Sequence, residues 1–229
     1  MQTVIYIADT APLQNEALFA ALYQKMPEYR RRKIDRYLVA GCKRLSLGVG
    51  VLLRAACREC GIPGAEEEIL LGEQGKGYFK QIPDAFFNLS HSGERAMCVV
   101  SPFETGCDVE QVQKLEWPVA RRVFSEEEQN LLRTQEEQGR GKEAFTRLWS
   151  LKESYVKATG KGFSDAPEKI SFSFSEQKVI LDRKEETRTF SFFEPDLQDG
   201  YRYVCCLINA PPDAEKKVRQ CDLTSPQFL

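Results

Sequence analysis

No stretch of this chain approaches the roughly 20 consecutive apolar residues that a membrane-spanning helix needs. No membrane partner is therefore expected. Neither sign of charge dominates, since 32 lysines and arginines stand against 34 acids for a formal net charge of −2. That balance argues against nucleic acid as a partner and leaves room for a local basic site that binds a small anion. The opening MQTVIYIADTAPLQ has no basic region followed by an apolar core, so it does not read as a secretory signal. The eight cysteines are accordingly expected to be reduced and the protein cytoplasmic. Cys57 and Cys60 make one CxxC and Cys205 adjoins Cys206, which falls short of the two spaced pairs of a zinc site. The first pair is expected at a helix end, the second on a strand with one thiol on each face. The common nucleotide and hydrolase devices are missing too: there is no GxxxxGK[ST], GxGxxG, GxSxG or HExxH, and no kinase set.

What is present suits a folded protein. A chain of 229 residues with 42% hydrophobic and 29% charged residues can bury a substantial core, as one large domain or two small lobes. Thr3–Ala8 reads as a strand buried on both faces, and Leu13–Met26 as a helix stopped by Pro27. Glu28–Cys60 reads as a long, interruptible helical region weakened by Gly48 and Gly50. Residues 72–88 read as loop and turn. Phe86–Leu89 and Ala96–Ser101 are expected to be strands around the polar turn 90–95, and Thr105–Glu110 a short strand able to pair with 96–101. Further on come a short helix Trp117–Phe124, a helix capped by Ser125, and a strong helix Glu143–Thr159 closed by Gly160. Strands are expected at 169–174, 178–181, 187–193 and 201–208, with a loose polar tail after Pro212. The pattern implies an α+β chain split near Glu104 into lobes 1–104 and 105–229.

Three groups of residues carry chemistry. On a strand, Asp108 and Glu110 face the same side, opposite Cys107 and Val109. Two adjacent carboxylates repel unless a cation sits between them, and an all-oxygen pair suits Mg²⁺; a solvated strand edge is the alternative. On the helix, Phe145, Leu148, Leu151, Tyr155 and Val156 form the apolar arc, with Trp149, Glu153 and Lys157 as a stripe at its margin. An ordinary i,i+4 pair would explain Glu153 and Lys157. It would not explain Lys152, which falls inside the arc and must snorkel or meet a buried partner. The only histidine, His91, lies among Ser90, Ser92 and Gly93, in a turn that could offer N–H groups and hydroxyls to a phosphate. The basic run Arg30–Lys33 with Arg36, then Lys43-Arg44, reads as a solvated face. Gly48 and Gly50 after Ser46 would let a backbone or ligand approach closely, and Lys76 on a glycine-flanked loop could reach a phosphate.

Together these pieces resemble the 4′-phosphopantetheinyl transferase superfamily, in its larger two-lobed, Sfp-type branch. The family pattern W-[SCA]-x-K-E-[SA]-x-x-K is matched throughout by Trp149-Ser150-Leu151-Lys152-Glu153-Ser154-Tyr155-Val156-Lys157. Gly106-Cys107-Asp108-Val109-Glu110 resembles the family's glycine followed by Asp-x-Glu, and Asn88–Ser92 its N-[IL]-S-H-[ST]. Thr105 departs from the usual Ile or Val before the glycine, a matter of packing. The resemblance implies two similar α+β lobes of about 100 residues related by pseudo-twofold symmetry. It implies coenzyme A between them, Mg²⁺ on Asp108, Glu110 and Glu153, and contacts to coenzyme A from Arg44, Ser46, Lys76, Ser90, His91 and Lys157, with Arg32 a further candidate. The implied reaction moves phosphopantetheine from coenzyme A to a serine of an apo acyl or peptidyl carrier protein. Glu153 would be base, metal ligand or both, and Lys157 would steady the leaving phosphate. The carrier is expected to dock on the second lobe, at Trp117–Phe124 and the segment after Lys161-Gly162-Phe163, and the enzyme to be a monomer. Two other readings stay open at this level: a Mg²⁺-dependent pyrophosphate hydrolase, and a non-catalytic module that binds coenzyme A or a carrier.

Overall fold

The structure, a computed structural model, describes residues 1–162, 167–175, 178–183 and 187–228. Six helices and eleven strands are defined among them. Strand β1 (Thr3–Asp9) is central to a four-stranded sheet of order β11-β1-β5-β4, with β4 at Phe86–Ser92, β5 at Arg95–Ser101 and β11 at Lys216–Cys221. A second sheet has the order β6-β10-β9, from Thr105–Gln111, Tyr201–Ile208 and Phe190–Phe193. Two hairpins complete the strands: β2 (Ile69–Leu71) with β3 (Gly77–Phe79), and β7 (Ser171–Ser175) with β8 (Lys178–Asp182).

The two-residue period of each strand sorts side chains into layers. Val4, Tyr6 and Ala8 of β1 join the core beneath α3 (Ala40–Glu59). Ile5 and Ile7, on the opposite face, meet Met97, Val99, Cys107, Val109, Tyr203, Cys205 and Leu207 in a core between the two sheets. Val204 points the other way, into the core of α4 (Trp117–Val123), α5 (Glu126–Glu137) and α6 (Gly141–Thr159). The layers are therefore α3, first sheet, second sheet, α6. Cys205 and Cys206 do face opposite sides, all eight thiols are free, and Cys57 lies in the last turn of α3 with Cys60 as its C-cap. Among the described residues, no helix is long and apolar enough to cross a membrane.

Several boundaries differ from the sequence expectation. The helical region 28–60 is two helices, α2 (Glu28–Asp35) and α3, and a short 3₁₀ turn precedes α1 (Glu16–Gln24). Residues 72–88 are not all loop, since β3 lies within them. Strand β6 does not pair with β5; its ladder partner is β10, with Asp108 opposite Val204 and Glu110 opposite Arg202. The tail is not loose. Strand β11 pairs in parallel with β1, Leu223 and Phe228 are buried in the first core, and Glu59 at the end of α3 binds Lys217 and Arg219 at 2.8 and 2.9 Å. Backbone pairing and two late apolar anchors hold this edge strand, so its polar composition concealed it. The second stretch of sequence thus returns a strand to the first sheet.

Lys152 has the buried partner its position demands. Its ammonium lies 2.8 Å from Glu128 Oε2, with both side chains fully buried, and donates to the carbonyls of Pro167 and Ile170. Glu128 also closes a capping box with Ser125 and accepts from the N–H of Phe172 at 3.0 Å. One buried ion pair therefore ties α5, α6 and β7 together.

Candidate active site

Gly106, Asp108 and Glu110 share the face of β6 that looks at α6. Gly106 makes this closeness possible: a Cβ there would stand 2.1 Å from the carbonyl oxygen of Ser154 and 2.2 Å from the nitrogen of Ala158. With only hydrogen at that point, β6 lies directly on the α6 backbone and brings Asp108 to Lys157. Asp108 Oδ1 is 2.6 Å from Lys157 Nζ and accepts from Ser90 Oγ at 3.0 Å. Asp108 is 1% exposed, so the pair of carboxylates is not a solvated strand edge.

A second alternation holds this arrangement. Strands β4 and β6 are the facing edges of the two sheets, and β4 offers side chains where a ladder strand would offer carbonyls. Asn88 Oδ1 accepts from the N–H of Cys107 at 3.0 Å, Ser90 Oγ from Val109 at 3.2 Å, and Ser92 Oγ from Gln111 at 3.3 Å. Ser90 and Ser92 thus belong to the strand and not to a turn, which is confined to Gly93-Glu94. Ser90 spends its proton on Asp108 and its lone pairs on Val109 and Lys157 (3.1 Å), and Ser92 donates to Glu110 Oε2 at 2.7 Å. Neither hydroxyl is left over for a phosphate.

The electrostatics describe one coupled cluster. Burial raises the pKa of Glu110, the charge of Asp108 adds to this, and hydrogen bonds from Ser92 and Trp149 oppose it. Burial also raises that of Glu153, with Asp108 and Glu110 adding and Lys157 opposing. Burial alone would lower Lys157, but Asp108 reverses this and its pKa is raised. Asp108 Oδ2 is buried with no hydrogen-bond partner. Among the described residues no three His, Cys, Asp or Glu side chains form a ready-made metal cage. Lys157 on Asp108 and Ser92 with Trp149 on Glu110 account for how the acids are held instead.

Lys157 also lines a cleft of about 1030 Å³ together with Arg30, Arg32 and Lys33 of α2, with Arg36 at its C-cap and with Lys76. The basic run therefore lines the wall of a concave site while Arg32, Lys33 and Arg36 stay solvent-exposed, as expected of a solvated face. Arg30 is 5% exposed and its Nε has no partner, as expected where an anion completes the site. Lys76 is less free than a loop lysine: it donates to the carbonyl of Ala158 near the end of α6, and burial lowers its pKa. His91 points to the face of β4 away from Ser90 and is exposed; surrounding protein lowers its pKa, as do the charges of Lys157, Lys33 and Arg30. Arg44 and Ser46 do not line the cleft. Arg44 is half-buried, and Ser46 is buried with an unpartnered hydroxyl. Gly48 and Gly50 serve protein packing, against Thr10 and Ala96 and against Met26 and Arg30. Asn88, Ser92 and Arg30 are site residues that the sequence reading did not assign. The shared two-residue spacing of Asn88, Ser90, Ser92 and of Asp108, Glu110 was the available signal for the first two.

Residues 104–206 match the family model of the 4′-phosphopantetheinyl transferase superfamily. The chain is 26% identical over 192 residues to the 4′-phosphopantetheinyl transferase gsp of Aneurinibacillus migulanus, covering 83% of this chain and 80% of that one. It is 27% identical over 190 residues to the 4′-phosphopantetheinyl transferase Sfp of Bacillus subtilis, covering 82% and 83%. The crystal structure of Thermotoga maritima holo-[acyl-carrier-protein] synthase aligns with 48% of this chain and 64% of that one, at 22% identity and a TM-score of 0.39.

Proposed function

We propose that this chain transfers the 4′-phosphopantetheine group of coenzyme A to a serine of an apo carrier protein, giving holo carrier and 3′,5′-ADP. One observation carries the reading: Lys157 belongs both to the basic cleft and to the carboxylate cluster, so the two form one site. The cations of the cleft suit the phosphates of coenzyme A, and its reacting pyrophosphate would lie at the junction.

The carrier's serine oxygen bonds to the β-phosphorus as the bond from phosphorus to the 3′,5′-ADP oxygen breaks. Glu153 takes the serine proton. A carboxylate is a weak base for a serine hydroxyl, so the proton moves in concert with attack. Lys157 swings from Asp108 to the leaving phosphate, where negative charge develops. Ser90, Ser92 and Asn88 orient the acids and take no direct part. His91, Lys76 and the cations of α2 hold the adenosine 3′-phosphate side.

Asp108, Glu110 and Glu153 would hold Mg²⁺. The fit rests on the orphaned Asp108 Oδ2, on two neighbouring carboxyls that resist ionising beside it, and on an all-oxygen donor set. The ion supplies charge neutralisation on the pyrophosphate. The chain is read as two lobes, 1–104 toward the adenosine and 105–229 with the acids and α6, with β11 lent back to the first, and as a monomer acting in the cytoplasm.

The test is mass spectrometry of a panel of apo acyl and peptidyl carriers incubated with the protein, coenzyme A and Mg²⁺. At least one carrier should gain phosphopantetheine, and only with metal present. Phosphate release from coenzyme A without any carrier would favour a hydrolase and overturn the proposal.

A further inference from the structure

A second pocket, of about 380 Å³, lies against the N-terminal half of α6 and is lined by Arg140, Arg147, Arg202, Leu131, Leu148 and Phe174, with Glu143 beside them. It flanks the acids on the side away from the cleft. Arg202 sits opposite Glu110 in the β6–β10 ladder, a cross-strand spacing of about 5 Å. Arg147 precedes Glu153 by six residues of α6, about 9 Å along its axis. Along α6 the order is therefore second pocket, acids, basic cleft.

We infer that this pocket receives an acidic segment of the apo carrier protein next to its reacting serine. The inference rests on the transferase reading and adds the docking surface to it. In phosphoryl transfer the attacking and leaving oxygens stand roughly in line through phosphorus. If 3′,5′-ADP leaves into the basic cleft, the acceptor approaches from the opposite flank, where this pocket lies. Its chemistry selects an acidic partner. Arg147 is already paired with Glu194 by two bonds of 2.6 Å and lies over the Phe174 ring at 4.1 Å, so it shapes the wall. Arg202 Nε is buried and has no hydrogen-bond partner, and Arg140 is exposed at the rim. Together they outnumber Glu143, whose Oε2 is also buried and unpartnered and suits an N–H or hydroxyl of the incoming chain. Leu131, Leu148 and Phe174 supply the apolar floor for a neighbouring side chain.

The test is steady-state kinetics on the full chain with coenzyme A, Mg²⁺ and a carrier that the wild type modifies, comparing Arg202→Ala and Arg140→Glu. The carrier KM should rise about 10-fold or more in each, while the coenzyme A KM stays within about 2-fold. The wild-type carrier KM should also rise with salt more steeply than that of either variant. Arg140 is exposed, so its variant decides the matter if Arg202→Ala fails to fold. An unchanged carrier KM, or a parallel rise in both KM values, overturns the pocket. A wild type that modifies no carrier sinks the transferase reading itself, so the two failures are distinct.

Discussion

Replacing Gly106 by alanine adds one methyl group and touches no side chain of the site. The added carbon would lie 2.1 Å from the Ser154 carbonyl oxygen, 2.2 Å from the Ala158 nitrogen and 2.8 Å from its Cα. Carbon contacts are comfortable only near about 3.5 Å, so α6 must retreat from β6 by more than about 1 Å. All three atoms are backbone of a 19-residue helix, and no rotamer change can relieve the clash. Overpacking of this kind costs about 1–3 kcal/mol, and the upper end applies where rigid elements collide. At about 2–4 °C per kcal/mol for a chain of this size, Tm should fall by about 6–12 °C. The catalytic loss should exceed the stability loss. Gly106 lies two residues from Asp108, and Ser154 and Ala158 adjoin Glu153 and Lys157, so the gap opens between the acids. A misplacement of about 1 Å can cost about 100-fold in rate. The assay is thermal unfolding beside carrier modification at saturating coenzyme A. A variant with Tm within about 2 °C of wild type and near-normal kcat would refute the claim that this contact sets the site.

Further variants probe the remaining parts. Glu153→Gln should lower transfer by at least about 100-fold in the mass-spectrometric assay, and near-normal turnover would remove it as the base. His91→Ala should raise the KM for coenzyme A with little change in kcat, as read by steady-state kinetics. Glu128→Ala leaves the Lys152 ammonium buried without its anion, and denaturant unfolding should register a loss of about 3–5 kcal/mol. Glu59 is held at a pKa of about 2, first by Arg219, against burial, and then by Lys217 and Tyr6. A lowered carboxyl stabilises the fold above its unfolded pKa near 4.5, and that stability disappears as pH falls through 2. Glu59→Gln should therefore cost about 1–2 kcal/mol at neutral pH, after allowance for solvent screening, and nothing further at pH 2. Tm measured from pH 6 to 2 checks this.

Much of the chemistry was legible in the sequence because it is local. The period of two along Thr105–Glu110 put both carboxylates on one face, and the 3.6-residue period of α6 put Trp149, Glu153 and Lys157 on one stripe. The same helical period flagged Lys152 as needing a buried partner, and Ser125 and Gly160 marked the helix ends. Tertiary structure decided everything that joins distant segments. It chose β10 over β5 as the partner of β6, recruited the polar tail as β11, and turned an unremarkable basic run on α2 into the wall of a cleft. It also committed Ser90 and Ser92 to neighbouring acids and N–H groups, since their strand runs beside β6 where no ladder forms. The physical reason is the same in each case. Dihedral preferences and side-chain periodicity act within a few residues and are written in the sequence, whereas pairing of strand edges depends on which surfaces meet once the cores are buried.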